Sequence, residues 1–357
     1  MSETHLVEGE TANLRAAVFL DQALDRFRSL ARDGRTTSCD FLVADLKLRI
    51  EVAKGPFEQS ICRAFMHLAV PSFEQPDLTV SAWDSESSGL SELRLPWTPA
   101  DYERYGVVTG FNDSRYHTAA QFDPIIIRVL DRHTRRAVYW TQAARELPRW
   151  EIGAPLRPLL HEWLLSRGKL PVHGGAVGYR HGGVFLAGSG GSGKSNVALA
   201  CLNSDLLYAA DDFCVLADEP EWRIHSLYCS GKIAGGDLRR HPHLLAHAGS
   251  TNALGREKAL FFVNELFPAK IVRMMPVRAI LMPQVVGFGR SEIVPATAAA
   301  AQRAVAMSTI ELSPWTVAST FSRVARFVRA LPCFTLRIGE DSPAVPSLIS
   351  NLLNRLS

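Results

Sequence analysis

Gly188-Ser189-Gly190-Gly191-Ser192-Gly193-Lys194-Ser195 has the G-x-x-x-x-G-K-[ST] spacing of a phosphate-binding loop. Each residue type has a physical reason to be there. Glycines let backbone N–H groups converge on phosphate oxygens with no Cβ in the way. A helix that follows turns its positive end toward the anion. Lys194 would reach the outer phosphates, and the Ser195 hydroxyl would hold Mg²⁺. The motif counts only between a strand and a helix. Gly183-Val184-Phe185-Leu186-Ala187 ahead of it is apolar and β-compatible, and Asn196-Val197-Ala198-Leu199-Ala200-Cys201-Leu202 behind it has helical composition. A Gly/Ser linker would have neither flank.

Asp211-Asp212 closes a second apolar run, Leu206-Leu207-Tyr208-Ala209-Ala210. Two adjacent carboxylates at the end of a buried strand permit a division of labour. One can neutralise a metal while the other accepts the proton of an attacking hydroxyl. His173 ends Leu170-Pro171-Val172-His173, one hairpin before the loop, where a lone histidine is more often structural than functional. Lys258, Arg273 and Arg278 are further cations that would suit a phosphoryl group, although each alone reads as a surface residue. The histidines at 241, 243 and 247 lack acidic or cysteine partners at ligand spacing, so we expect a solvated loop there.

These residues need elements to hold them. Residues 13–32 read as an amphipathic helix with Asn13 as N-cap, and residues 40–52 as one half-buried strand. A short helix over 58–68 and a strand over 78–83 follow. Residues 90–123 show little periodicity and are expected to be irregular, whereas 125–131 and 137–140 form a hairpin. A helix over 155–167, the hairpin entering the phosphate loop, strands at 206–210, 213–216, 222–227, 276–282 and 333–338, and helices at 296–301 and 316–329 complete the pattern. Nothing before residue 150 has the spacing of a catalytic motif. The expected organisation is a smaller α+β domain over 1–150, suited to partner recognition, and an α/β domain with a mixed sheet over 151–357.

At 357 residues the chain is long enough for two domains. A net charge of +3 is too small to imply nucleic acid or an anionic membrane as the main partner. No apolar run is long enough to span a bilayer. Glu3, Glu8 and Glu10 argue against a secretion signal, and six scattered cysteines suit reduced thiols in a cytoplasmic protein.

In order, His173-Gly174, the apolar strand, the phosphate loop and Ala209-Ala210-Asp211-Asp212 resemble the catalytic domain of HPr kinase/phosphorylase and its wider group of bacterial HPr-kinase-like proteins. The resemblance implies a P-loop domain related to phosphoenolpyruvate carboxykinase around its nucleotide. It also implies ATP- and Mg²⁺-dependent phosphorylation of a serine hydroxyl. Residues 188–195 would bind the phosphates. Asp211 or Asp212 would be the base and the other would lie near the metal, with Ser195 and Asp212 as the metal set and His173 close to the phosphates. The family's acid-x-Arg-Gly-x-Gly signature is absent from Tyr228-Cys229-Ser230-Gly231-Lys232-Ile233-Ala234-Gly235-Gly236-Asp237. That weighs against phosphorolysis and against HPr as acceptor. Divergent relatives of this kind resemble kinases of peptide-tailoring systems, including those that phosphorylate the last serine of lasso-peptide precursors. The expected acceptor is therefore a peptide or small protein carrying a serine, and some homo-oligomer is expected. A small-molecule alcohol kinase and an ATP-responsive binding module without transfer activity both stay open.

Overall fold

Apolar residues at helical spacing from Ala16 to Leu30 give helix Glu3–Arg32 one continuous buried face. The computed structural model describes residues 3–103, 106–218, 220–247, 258–310 and 317–356, and it divides into two compact units, Met1–Arg167 and Gly168–Ser357. The helix begins ten residues before the expected cap, so Asn13 lies inside it. Helix Arg157–Ser166, which the sequence grouped with the phosphate loop, packs on strands of the first unit.

Among the described residues, the first unit has six strands: β1 Thr36–Val43, β2 Leu46–Ala53, β3 Leu78–Asp84, β4 Tyr116–Phe122, β5 Ile125–Asp131 and β6 Arg136–Thr141. They form one mixed sheet in the order β1-β2-β3-β6-β5-β4, with β3 parallel to both neighbours. The single strand expected over 40–52 is a hairpin. Ala44 and Asp45 both take positive φ (47° and 69°) in its two-residue turn, and neither has the glycine or asparagine that usually marks such a turn. β4 falls in the stretch expected to be irregular. One sheet face buries Trp83, Ile127, Val138 and Trp140 under the long helix. Each fully buried large apolar side chain there contributes roughly 1.5–3 kcal/mol.

The sheet also carries a buried ion pair. Arg128 meets Glu151 at 2.6 Å with side chains only 4% and 1% exposed, and the Tyr139 hydroxyl donates to Glu151 at 3.0 Å. Removing one partner strands the other charge in the interior. Glu151→Ala should cost about 3–5 kcal/mol of unfolding free energy, read by urea denaturation. A loss below about 1 kcal/mol, the range of a surface pair, would contradict this account.

The second unit holds β7 Leu170–His173, β8 Gly175–Tyr179, β9 Gly182–Leu186, β10 Leu207–Ala210, β11 Phe213–Ala217, β12 Arg223–Ser226, β13 Ser230–Ala234, β14 Lys258–Phe262, β15 Met274–Val285, β16 Glu292–Pro295 and β17 Cys333–Ile338. The main sheet runs β10-β8-β9-β15-β12-β11-β7, with β17 beside β15 and β16 beside β17. β15 runs parallel to β9 and β17, and the other pairs are antiparallel, so the sheet is mixed. β13 and β14 form a separate ribbon. Helix Lys194–Ala200 and the carboxy-terminal helix Val345–Leu356 share a core with the sheet, through Val197, Leu199, Ile349, Leu352 and Leu353. Helices Ala298–Ile310 and Val317–Arg329 pack together, and Phe327 meets Phe185 edge-on. The expected start of that last helix, Thr316, lies outside the described residues. No described helix is long and apolar enough to cross a membrane. None of the six cysteines forms a disulfide.

Candidate active site

β9 is buried along its whole length and delivers the chain into the phosphate loop. Three loop glycines take backbone angles that disfavour a side chain: Gly188 at φ 152°, Gly191 at 81° and Gly193 at 104°. A Cβ on Gly188 would also stand 2.5 Å from Ser192 Oγ. Helix Lys194–Ala200 starts directly after Gly193, so the strand–loop–helix setting that the motif requires is present. Lys194 is buried. Its ammonium donates to the carbonyls of Gly188 at 2.7 Å and Ser189 at 3.1 Å, which ties the loop back over its own lysine. Burial lowers the Lys194 pKa, against the attraction of Asp212 and Asp211.

The two aspartates sit at a corner. β10 pairs with β8 and β11 pairs with β7; past a register shift between Tyr208 and Ala210 the pairing carries on across the corner, with Ala210 facing Ala176 and Phe213 facing His173. Gly174 and Gly175 are left over on one strand and Asp211 and Asp212 on the other. A single bond, from the Gly174 N–H to the Asp212 carbonyl at 2.9 Å, crosses the gap. Glycine is obligatory at 174, because a Cβ there would fall 2.3 Å from Phe185 Cζ. The His-Gly and Asp-Asp pairs are thus the two sides of one pinch in a two-stranded ribbon. That pinch brings residues distant in sequence into contact.

His173 Nε2 lies 2.9 Å from Asp212 Oδ1, and its ring stacks on Phe213. Lys232 Nζ lies 2.5 Å from Asp212 Oδ2 and 5.7 Å from the centre of the Phe213 ring. The same residue's backbone N–H donates to Asp211 Oδ2 at 2.9 Å. Lys232 therefore serves both carboxylates, one with its charge and one with its amide. Asp211 is buried, and its Oδ1 has no hydrogen-bond partner among the described residues.

Burial, with Asp212 alongside, pushes Asp211 up to about 6, while Lys232 and the Ser195 hydroxyl pull the other way. Asp212 goes in the opposite direction. Burial would raise it, but Lys232 and His173 hold it well below the usual carboxylate range. Both oxygens of Asp212, the residue expected at the metal, are engaged by cationic or imidazole partners. The carboxylate with a free oxygen and with Ser195 acting on it is Asp211.

A metal ion can be tested against these donors. The unpartnered buried oxygen of Asp211 and the Ser195 hydroxyl are hard oxygen ligands of the kind Mg²⁺ takes. No described cluster of three or more His, Cys, Asp or Glu could hold a metal alone. That suits an ion bound through one or two protein oxygens and completed by substrate phosphates and water.

Other candidates fall elsewhere. Arg278 pairs with Glu221 at 3.1 Å and donates to the His181 carbonyl, at the end of β9 away from the loop. Arg273 precedes β15, whose far end lies by the loop. Lys258 heads β14, and its charge is felt at Lys194. The histidine segment is not a solvated loop. His241 is buried with Nε2 2.9 Å from Asn196 Oδ1, Asn196 donates to Asp237 at 3.2 Å, and His243 Nε2 lies 3.0 Å from the Leu199 carbonyl. These histidines brace the phosphate-loop helix from behind. His247 packs near the Phe267 ring. Sequence reasoning missed Lys232 because β13 has no strong periodicity. The one signal was its place in the Gly231-Lys232 stretch that departs from the family signature.

No protein-family model and no curated protein matches the chain. Among solved structures, the Hpr(Ser) kinase/phosphatase from Coxiella burnetii matches at a TM-score of 0.29 and 12% identity, covering 52% of this chain and 97% of that one. This is a distant structural likeness.

Proposed function

We propose that this chain is an ATP- and Mg²⁺-dependent phosphotransferase that moves the γ-phosphate onto a serine hydroxyl of a peptide or small protein. The observation that carries the reading is the meeting of a complete phosphate loop with a paired-aspartate corner, in which Asp211 keeps a buried oxygen free and Asp212 is held ionised. A bound Mg²⁺ would neutralise phosphate charge, with Ser195 and Asp211 as its protein ligands. The loop amides and Lys194 bind and orient the phosphates, and the buried ammonium stabilises charge as it spreads over the transferred group. Asp212, oriented by His173 and Lys232, takes the proton of the acceptor hydroxyl. The serine oxygen bonds to the γ-phosphorus as the bond from that phosphorus to the bridging oxygen of ADP breaks, and the proton ends on the carboxylate. A strongly acidic carboxylate is a weak base, which is compatible with a loose transition state in which the hydroxyl loses its proton late.

Recognition of the acceptor is assigned to the first unit. Incubation with γ-labelled ATP and two acceptor sets, serine-ended peptides and small alcohols, tests the proposal. Label on serine of a peptide supports it, label only on small alcohols moves the acceptor class, and ATP binding without any transfer would sink the enzyme reading.

A further inference from the structure

Beside the phosphate loop, on the side away from the aspartates, stands an apolar wall. β10, with Asp211 and Asp212 at its end, lies two strands from β9 on one side; β15 and then β17 lie on the other. Leu186, the last residue of β9, pairs with Leu281, and β15 continues past it to Val285, which pairs with Ile338 of β17. Both side chains reach the phosphate loop: a Cβ on Gly193 would stand 3.4 Å from Val285 Cγ2 and 3.4 Å from Ile338 Cδ1.

The segment that follows is fixed to the end of β17. Val286 and Gly287 both donate to the Ile338 carbonyl, at 3.0 and 3.2 Å, and Glu340 donates to the Gly289 carbonyl at 3.0 Å. Gly287 and Gly289 take positive φ, and a Cβ on Gly339 would fall 2.2 Å from the Gly289 oxygen. This backbone is built to close tolerance, yet it presents Phe288 at 74% exposure and Val285 at 50%. A large aromatic held out on a tightly bonded turn costs apolar exposure that packing among the described residues does not recover.

We infer that the exposed Val285 and Phe288, backed by the buried Ile338, form the platform for the purine base of the bound nucleotide. The inference rests on the nucleotide reading above and adds to it the base-recognising element. The phosphate chain has a direction in this site, because its reacting end must lie by Asp211 and Asp212. Its other end therefore leaves the loop on the β15–β17 side, where ligands of parallel strands collect at the carboxyl ends. An aromatic face beside an aliphatic wall suits a flat, apolar ring system.

The test uses two probes that share the phosphates and differ in the base: Mg²⁺ with ATP, and Mg²⁺ with inorganic tripolyphosphate, titrated by calorimetry into the full chain. Phe288→Ala should weaken ATP about tenfold, in the range of a lost base-stacking contact, and leave tripolyphosphate unchanged. Phe288→Trp should keep ATP affinity and show indole fluorescence that changes on adding ATP but not tripolyphosphate. If Phe288→Ala alters neither ligand, or weakens both equally, the platform is refuted; an unchanged ATP affinity would hand the aromatic to the acceptor. If the unaltered chain binds neither probe, the nucleotide reading itself has failed, a result distinct from the other two.

Discussion

Lys194→Ala is expected to lower phosphate transfer by roughly 10²–10³-fold, the cost of removing one preorganised charge donor from a transition state. The physical reason lies in where the ammonium is held. It is buried, bonded to two loop carbonyls and drawn by two nearby carboxylates, so it needs no reorganisation when charge develops on the transferred group. Its neutral replacement leaves Gly188 and Ser189 without that donor. Ser189 is exposed to water, however, and the strand and helix around the loop are held by their own apolar faces. The fold should survive, with a thermal midpoint within a few degrees of the parent. The decisive measurement is single-turnover transfer of label from ATP at saturating nucleotide, with circular dichroism on the same samples. Transfer at the parental rate would remove Lys194 from the mechanism and with it the case for this loop as the catalytic cradle.

Lys232→Met is expected to be nearly as severe, for a different reason. One residue now neutralises Asp212 with its ammonium and donates to Asp211 with its amide. Methionine keeps the length and the amide but removes the charge. The buried Asp211 and the partly buried Asp212 beside it then face each other with less compensation, and Asp211, already pushed up to about 6, should rise further. If Asp211 must be ionised to hold the metal, the parent loses activity as pH falls through about 6, and the variant should lose it at a higher pH. A pH–rate profile shifted upward in Lys232→Met, and restored toward the parent in Lys232→Arg, is the expected result. An unshifted profile with a uniformly lower rate would mean that Lys232 is only structural.

Stability carries a related signature. Asp211 keeps its proton in the folded chain to about pH 6 but would release it near its ordinary value of 3.8 when unfolded. The folded state thus binds more protons in that window, and the contribution of Asp211 to stability is fully present below 3.8 and lost as pH rises through 6. Asp212, lowered in the folded state, contributes with the opposite sign: its contribution is present above 3.8 and lost as pH falls below that value.

Much of this site was legible because its parts are local. A phosphate loop is a contiguous run whose glycines and lysine announce themselves, and the apolar strand before it and helix after it needed only composition and hydrophobic spacing to be found. Asp211-Asp212 and His173 were legible as candidates, but their contact was not, because the ribbon that joins them is a non-local ladder. Lys232 was illegible for the same reason, compounded by a weakly patterned strand. The histidines at 241 and 243 misled because burial against the back of a helix leaves no periodic trace in a short, basic segment. In the first unit, Ala44-Asp45 turned a hairpin with no glycine or asparagine and with alanine at a positive φ, so local propensity gave little warning that one strand was two.

The pinched ribbon has a consequence for how such a site decays. The imidazole–carboxylate–ammonium cluster is positioned by β7, β11 and β13, whereas the phosphate loop hangs from β9. The two halves abut where Gly174 packs on Phe185 of β9 and Gly231 packs on Leu199 of the loop helix, but their functional side chains come from different strands. A descendant that had given up nucleotide binding would still display an intact histidine and aspartate pair, and one that had given up the pair would still bind phosphate. Either fossil, met alone, would look like a working enzyme, so both halves must be tested before activity is ascribed to any chain of this architecture.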